Sequence, residues 1–335
     1  MSNVPAPPAA APAGGVPAVP PTVQLFELSF TGSMVSEMHW AAIDHDLAGR
    51  VASGVTTSAG LAQATGLHEP SLYRLMRAMT GLGVFTLNEE GEFGLGPLGD
   101  ATRQYPPFPW WPDVQRQFGG TLATGRSGMD LALGQELFEF LADHPQDAAN
   151  FDGLMRLIHA GEPEAVAAAY DFAGVHRLVD VGGGNGVVLS TLLTAHPHME
   201  GVLFDLPSVV GRVASDGPFE IVGGDFFDGV PAGGDAYLLS HIIHDWPRDQ
   251  GLRILGNCRK AMGDGGRLLL VEMVVPDGDE PHPAKILDMF MLLVNGAGQE
   301  RTEAQYVELL DEAGFRLERV LPTASPVSVV EARPV

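Results

Sequence analysis

The second half of the chain alternates short apolar segments with amphipathic ones, and this alternation constrains the fold more than any other feature. Apolar runs predict buried strands, and the segments between them carry apolar residues at helical spacing. Such alternation is typical of a parallel sheet with helices on both faces, so we predict a doubly wound α/β domain over residues 175–335. The predicted strands are Arg177–Val181, Gly201–Asp205, Glu220–Val222, Ala236–Ser240, Arg267–Met273, Arg316–Leu321 and Val327–Glu331, and the helices are Val187–Thr194, Arg248–Met262, Lys285–Leu293 and Glu303–Gly314.

A glycine-rich loop, Gly182–Gly186, follows the first predicted strand and leads directly into a helix. Glycines let the backbone approach a ligand, and a helix start offers free N–H groups to a negative group such as a carboxylate. The dinucleotide fingerprint would require a third glycine at position 187, where this chain has Val187. The spacing therefore argues against a nicotinamide cofactor.

Acidic residues end or follow the next two predicted strands. Asp205 lies 23 positions after Gly182, close to where an acid accepts hydrogen bonds from ribose hydroxyls. Gly224-Asp225-Phe226 follows the third strand, with a carboxylate for an adenine amino group and a ring for its flat face. Loop capping is the alternative role for both acids. Together, these strand ends favour an adenosine ligand with an amino acid end.

The ordered motifs of this region resemble those of the S-adenosylmethionine-dependent O-methyltransferases, of the plant caffeate and flavonoid type and their bacterial natural-product relatives. The motifs are Leu178–Gly186, Phe204–Pro207, Gly224–Phe227, His244–Trp246 and Glu300–Thr302. The resemblance runs from about Leu25 to the C-terminus and implies a Rossmann-like sheet and S-adenosylmethionine as cofactor. The implied cofactor-binding residues are Asp180, Gly182, Gly184, Asp205, Leu206, Gly224, Asp225, Phe226 and Ser240. Many plant members carry Lys where this chain has Ser240.

A histidine, His244, follows the fourth predicted strand at the edge where an open sheet binds ligands, and we predict that it is the general base. Proton transfer from a phenol with a pKa near 10 to an imidazole near 6.5 is uphill by roughly 5 kcal/mol in water. A carboxylate on the other ring nitrogen would reduce this gap. The resemblance assigns that flanking role to Glu272 and Glu300. A solvated strand end and a helix start are their structural alternatives.

The resemblance also implies residues that contact an aromatic acceptor. Methionine adapts its shape to flat ligands, although ordinary core packing is nearly as good an interpretation for each position. The predicted acceptor residues are Phe151, Met155, His159, Asp245, Met291 and Asn295. We predict no metal site, because His241 and His244 on a strand would point in different directions with no third ligand nearby.

The first part of the chain has a different pattern. We predict a disordered tail over residues 1–22, a winged-helix-like dimerisation domain over 23–104, and a helical connector lining the substrate pocket over 105–174. The chain has 19 Lys and Arg against 42 Asp and Glu, a net charge of -23, which argues against nucleic acid as a partner. No apolar stretch reaches the roughly 20 residues of a membrane span. A single cysteine excludes an internal disulfide framework and suits a reducing cytoplasm.

The leading hypothesis is transfer of a methyl group to a hydroxyl, most simply a phenolic one, of a small aromatic natural product by a homodimeric enzyme. One alternative keeps S-adenosylmethionine but catalyses hydroxylation or rearrangement. Another is a ligand-sensing regulator that binds DNA through the winged helix. The sequence leaves the acceptor, the methylated position and the choice of oxygen or nitrogen open.

Overall fold

The computed structural model describes residues 20–213 and 217–335 and divides into two compact units, Met1–Pro107 and Phe108–Val335. Residues 1–19 of the predicted disordered tail lie outside the described residues, and the first described helix begins at Pro21. The predicted connector belongs almost entirely to the second unit. Each unit has its own apolar core.

The first unit has the helix–helix–hairpin order of a winged helix. The Thr57 side chain caps a helix by accepting a hydrogen bond from the Gly60 amide, and Phe85 and Phe93 bury their rings against that helix pair. The elements are α1 Pro21–Phe26, a π-helix Glu27–Thr31, α2 Gly32–Asp44, α3 Leu47–Ala52, α4 Ser58–Thr65, α5 Glu69–Thr80, β1 Phe85–Leu87, β2 Phe93–Leu95 and α6 Gly99–Gln104.

The second unit opens with a run of helices and continues into a seven-stranded sheet. The opening helices are α7 Trp111–Arg116, α8 Phe118–Thr124, α9 Gly128–Leu133, α10 Leu137–Asp143, α11 Pro145–Ile158 and α12 Glu162–Ala169. The strands are β3 Arg177–Val181, β4 Glu200–Asp205, β5 Phe219–Gly223, β6 Ala236–Ser240, β7 Arg267–Glu272, β8 Phe315–Pro322 and β9 Ser328–Pro334. Between them lie α13 Val187–Ala195, α14 Pro207–Val210, a 3-10 turn Ile243–Asp245, α15 Arg248–Ala261, α16 Pro283–Val294 and α17 Glu303–Glu312.

The strand order is β5-β4-β3-β6-β7-β9-β8, with β9 antiparallel to both of its neighbours. Successive side chains of a strand point to opposite faces, and β7 shows why its sequence is a continuous apolar run. Leu268 and Leu270 pack into the core on one face, and Leu269 and Val271 pack into the core on the other. The predicted doubly wound α/β sheet is confirmed.

The five neighbouring strands β5, β4, β3, β6 and β7 are parallel, so their carboxyl ends meet at one edge. The chain leaves β3 toward β4 on one side and reaches β6 on the other, which places the switch point of the topology between β3 and β6. Ligands of open sheets bind at such a point. Among the described residues, no helix is both long and apolar enough to cross a bilayer.

Candidate active site

The loop after β3 can be formed only by glycines at its key positions. Gly182, Gly184 and Gly186 have φ values of 72°, 59° and 76°, in the left-handed region that other residues rarely adopt. A Cβ on Gly182 would lie 2.6 Å from Ile242 Cδ1, whereas no atom lies within 4 Å of a Cβ built on Gly184. The loop is therefore closed toward Ile242 and open at Gly184, directly before α13.

Asp205 at the end of β4 holds this loop in place. Its carboxylate accepts hydrogen bonds from the amide of Gly184 at 2.8 Å and from that of Leu206 at 2.6 Å. Asp225 accepts from the Phe227 amide at 2.8 Å, so it caps its own turn. Both acids thus perform the capping role, yet each carboxylate oxygen has a second lone pair available to a ligand.

Asp180, in β3 beneath the loop, is a buried carboxylate without a hydrogen-bond partner among the described residues. Burial raises its pKa to about 7, with a further contribution from the charge of Asp205. An unpartnered buried carboxylate is costly unless a cation or a donor approaches it. The acid and the open glycine loop therefore fit a ligand that carries an ammonium group, as the amino acid end of S-adenosylmethionine does.

The predicted base and its two predicted acids come together at the same edge. His244 lies in the 3-10 turn after β6, and its Nδ1 is 2.7 Å from Glu300 Oε1 and 3.5 Å from Glu272 Oε2. The other carboxylate oxygen of Glu272 accepts the Ile243 amide at 2.9 Å. On the opposite side of the ring, Nε2 is 3.6 Å from Asp245 Oδ1. One imidazole is thus enclosed by three acidic side chains.

This surrounding negative charge changes how the cluster holds protons. Burial alone would lower the pKa of His244, but Glu272, Asp245 and Glu300 outweigh it and raise the pKa to about 10. Burial in turn raises the pKa of Glu272 to about 7 and that of Asp245 to about 6, against the attraction of the imidazolium. The cluster therefore favours a protonated His244 in the protein without ligands.

The backbone of the histidine turn is fixed by residues that follow α16. Arg301 is 2% exposed and donates to the carbonyls of Ile243 at 2.8 Å and Trp246 at 3.1 Å. Asn295, predicted beside the acceptor, donates its amide to the Asp245 carbonyl. Sequence analysis missed Arg301, although its position beside Glu300 in a motif of the resemblance was a usable signal.

The other predicted acceptor residues lie on the helices around this edge. Met291 on α16 is buried and packs in one apolar cluster with the half-buried Phe151 of α11. Met155, also on α11, is half-buried. Packing accounts for Met291, while Phe151 and Met155 keep part of their surface accessible. Ser240 ends β6 and is half-buried next to the histidine turn.

The argument against a metal site is wrong in its premise that His241 and His244 diverge with no third side chain nearby. His241 lies beyond the strand with a φ of 54°, and its ring centroid is 5.3 Å from that of His244. Donor atoms of His159, Glu162 and His241 lie within 4.8 Å of one another, as do those of His241, His244 and Glu272. Glu162 was missed entirely, because nothing in the sequence connects it with a residue 79 positions away.

Comparisons with known proteins agree with this geometry. The family described as O-methyltransferase domain matches residues 117–316. The phenazine O-methyltransferase PhzM of Lysobacter antibioticus is 38% identical over 96% of this chain and 98% of its own length. An N,N-8-amino-8-demethyl-D-riboflavin dimethyltransferase from Streptomyces davawensis superposes with a TM-score of 0.79 at 30% identity, covering 95% of this chain and 100% of its own.

A solved structure also shows the cofactor of the family. The neocarzinostatin biosynthesis O-methyltransferase NcsB1, in complex with S-adenosylmethionine and 2-hydroxy-5-methyl naphthoic acid, has a TM-score of 0.74 and 33% identity. The match covers 89% of this chain and 95% of that one. S-adenosylmethionine is accordingly the cofactor whose amino acid end the Asp180 pocket fits. The chain belongs to the S-adenosylmethionine-dependent O-methyltransferases.

Proposed function

We propose that the protein methylates a phenolic hydroxyl of a small aromatic natural product, with His244 as the general base. The observation that carries the proposal is the buried His244 imidazole, hydrogen-bonded through Nδ1 to Glu300 at the carboxyl edge of the sheet. The printed names of the relatives, which include a phenazine O-methyltransferase and a complex with a hydroxylated naphthoic acid, support an aromatic acceptor.

The three acids make His244 a stronger base than a free imidazole. S-adenosylmethionine, when bound, supplies an electrophilic methyl group on a sulfonium. Because Nδ1 donates to Glu300, Nε2 is the nitrogen that takes the hydroxyl proton, and Asp245 lies on that side of the ring. A His244 pKa near 10 matches that of a phenol, so the transfer is no longer uphill by the roughly 5 kcal/mol that an unperturbed histidine would face.

A strong base favours oxygen over nitrogen as the methylated atom. A neutral aromatic amine attacks with a lone pair it already has, whereas a phenol is a poor nucleophile until it loses its proton. The riboflavin dimethyltransferase shows that a relative of this fold methylates nitrogen. We assign this chain to the hydroxyl-methylating group because of the three acidic side chains around His244.

The proposal can be tested by incubating the protein with methyl-labelled S-adenosylmethionine and paired acceptors that differ only in bearing a hydroxyl or an amino group. We expect a labelled methyl ether and S-adenosylhomocysteine from the hydroxyl member of each pair. Label found only in methylated amines would contradict the assignment to oxygen. A product mass gain other than that of methyl would contradict methyl transfer itself.

The pH profile provides a second prediction. His244 must be neutral to accept a proton, so at saturating cofactor kcat/KM should rise with pH until the His244 pKa is passed. Glu272→Gln removes one of the negative charges that stabilise the imidazolium, so the rise should move to lower pH by about one unit or more. The measurement is log kcat/KM against pH, with the exposed Glu308→Gln as the control, and an unmoved Glu272→Gln profile would contradict the prediction.

We also propose that the protein is a homodimer through its first unit. Leu25, Leu28 and Phe30 are 64%, 77% and 66% exposed, a cluster of apolar surface that a second copy would cover. Light scattering should give twice the chain mass of 35.5 kDa for the wild type and a shift toward 35.5 kDa for Phe30→Asp. A monomeric wild type would contradict the proposal.

A further inference from the structure

A second polar cluster lies beside the base, and the reaction described above does not use it. Glu162, at the start of α12, is 6% exposed, and its Oε2 accepts hydrogen bonds from His159 Nδ1 at 3.0 Å and His241 Nε2 at 2.8 Å. Among the described residues, these two histidines are the only groups paired with its carboxylate. A buried carboxylate is thus held by two imidazoles.

The carboxylate determines which ring nitrogens carry protons. Burial raises the pKa of Glu162, but the hydrogen bonds from His159 and His241 outweigh it and lower the pKa to about 2. An ionised carboxylate only accepts hydrogen bonds, so each histidine must direct an N–H toward it. In a neutral imidazole the other nitrogen then has a free lone pair, which is Nε2 in His159 and Nδ1 in His241.

The two histidines differ in access. Burial lowers the pKa of His241 to about 4, so its ring is neutral, and its Nδ1 is buried without a partner among the described residues. The His159 side chain is 25% exposed. Its ring centroid is 4.0 Å from that of His241, which in turn is 5.3 Å from that of His244. His159 is also close enough to Asp245 for its charge to affect the Asp245 carboxyl. His159 therefore offers the accessible lone pair on the side of the base.

We propose that His159 Nε2 accepts a hydrogen bond from a second hydroxyl or amino group on the acceptor ring, ortho to the hydroxyl that His244 deprotonates. Glu162 is the positioning residue that keeps the proton of His159 on Nδ1. The inference rests on the proposed function and narrows its substrate class to aromatic rings with vicinal donors. A monohydroxy ring would leave His159 without its partner.

The test compares three acceptors: a monohydroxynaphthalene, the vicinal dihydroxynaphthalene, and the mono-methyl ether of the latter. For the wild type we expect kcat/KM to be about tenfold higher for the dihydroxy compound than for the other two, the usual effect of one hydrogen bond. His159→Phe should abolish this preference while leaving kcat/KM for the monohydroxy compound within about twofold. Glu162→Gln should reduce the preference, and the exposed Glu164→Gln on the same helix should preserve it.

Binding measurements separate this inference from the proposed function. Calorimetry with S-adenosylhomocysteine present gives the Kd of each acceptor without turnover, and the same preference is expected there. Equal binding of mono- and dihydroxy compounds by the wild type would overturn the role of His159, even if both are methylated. A binding preference without methylation would instead contradict the proposed function. If His159→Phe weakened all three acceptors equally, the residue would be only structural, and the inference would fall.

Discussion

Replacing His244 with Gln is expected to lower kcat by about a hundred- to ten-thousand-fold, the usual contribution of a general base. The amide has a similar size and can still hydrogen-bond to Glu300, but it cannot take a proton from the acceptor. The cofactor Kd should stay within about threefold of the wild-type value, because we place no cofactor contact on this ring. Single-turnover methylation and calorimetry with S-adenosylmethionine measure the two quantities separately.

His176→Gln is the matched control for this experiment. His176 is an exposed histidine in front of β3, at the sheet edge opposite the carboxyl ends of the parallel strands. We expect wild-type kcat from it, and thermal unfolding should show that both variants are folded. Full turnover by His244→Gln would contradict the assignment of the base and would favour a mechanism that depends on positioning alone.

Asp205→Ala is expected to raise the Kd for S-adenosylmethionine by about ten- to a hundredfold. The substitution removes the carboxylate that we assign to the ribose hydroxyls, and hydrogen bonds to charged groups contribute roughly 1.5–3 kcal/mol each. It also leaves the amides of Gly184 and Leu206 without their acceptor, so the glycine loop loses its support. Calorimetry on protein cleared of bound ligand measures the effect.

Asp235→Ala distinguishes loss of the cofactor contact from loss of loop support. Asp235 also accepts two backbone amides, from His176 and Arg177, each at 2.9 Å, at the opposite edge of the sheet. Both variants should lose comparable thermal stability, whereas only Asp205→Ala should bind the cofactor weakly. Equal cofactor affinity in the two variants would contradict the ribose role of Asp205.

The order of the elements follows from local sequence. All seven strands of the large sheet were predicted, each within three residues of its observed ends, because strands buried on both faces need continuous apolar runs, as in Arg267–Glu272. The placement of His244, Glu272 and Glu300 together was also predictable, since the loops after parallel strands meet at one edge. These conclusions needed only periodicity, chain order and a resemblance.

Other properties of the site depended on the packed molecule. Pairing of Glu162 with His159 and His241 results from α12 lying against the histidine turn, and no local pattern encodes a contact between residues so far apart in the chain. The premise against a metal site was wrong for the same reason, since His241 leaves the strand direction in a left-handed turn.

The sequence alone therefore determined the fold class, the cofactor loop and the identity of the base, because apolar periodicity and glycine spacing are local properties of the chain. Only the tertiary structure decided which nitrogen of His244 meets Glu300, how far three buried carboxylates raise its basicity, and which second histidine is accessible. Those properties depend on distances of a few ångströms and on exclusion of water, and both arise when distant segments pack together.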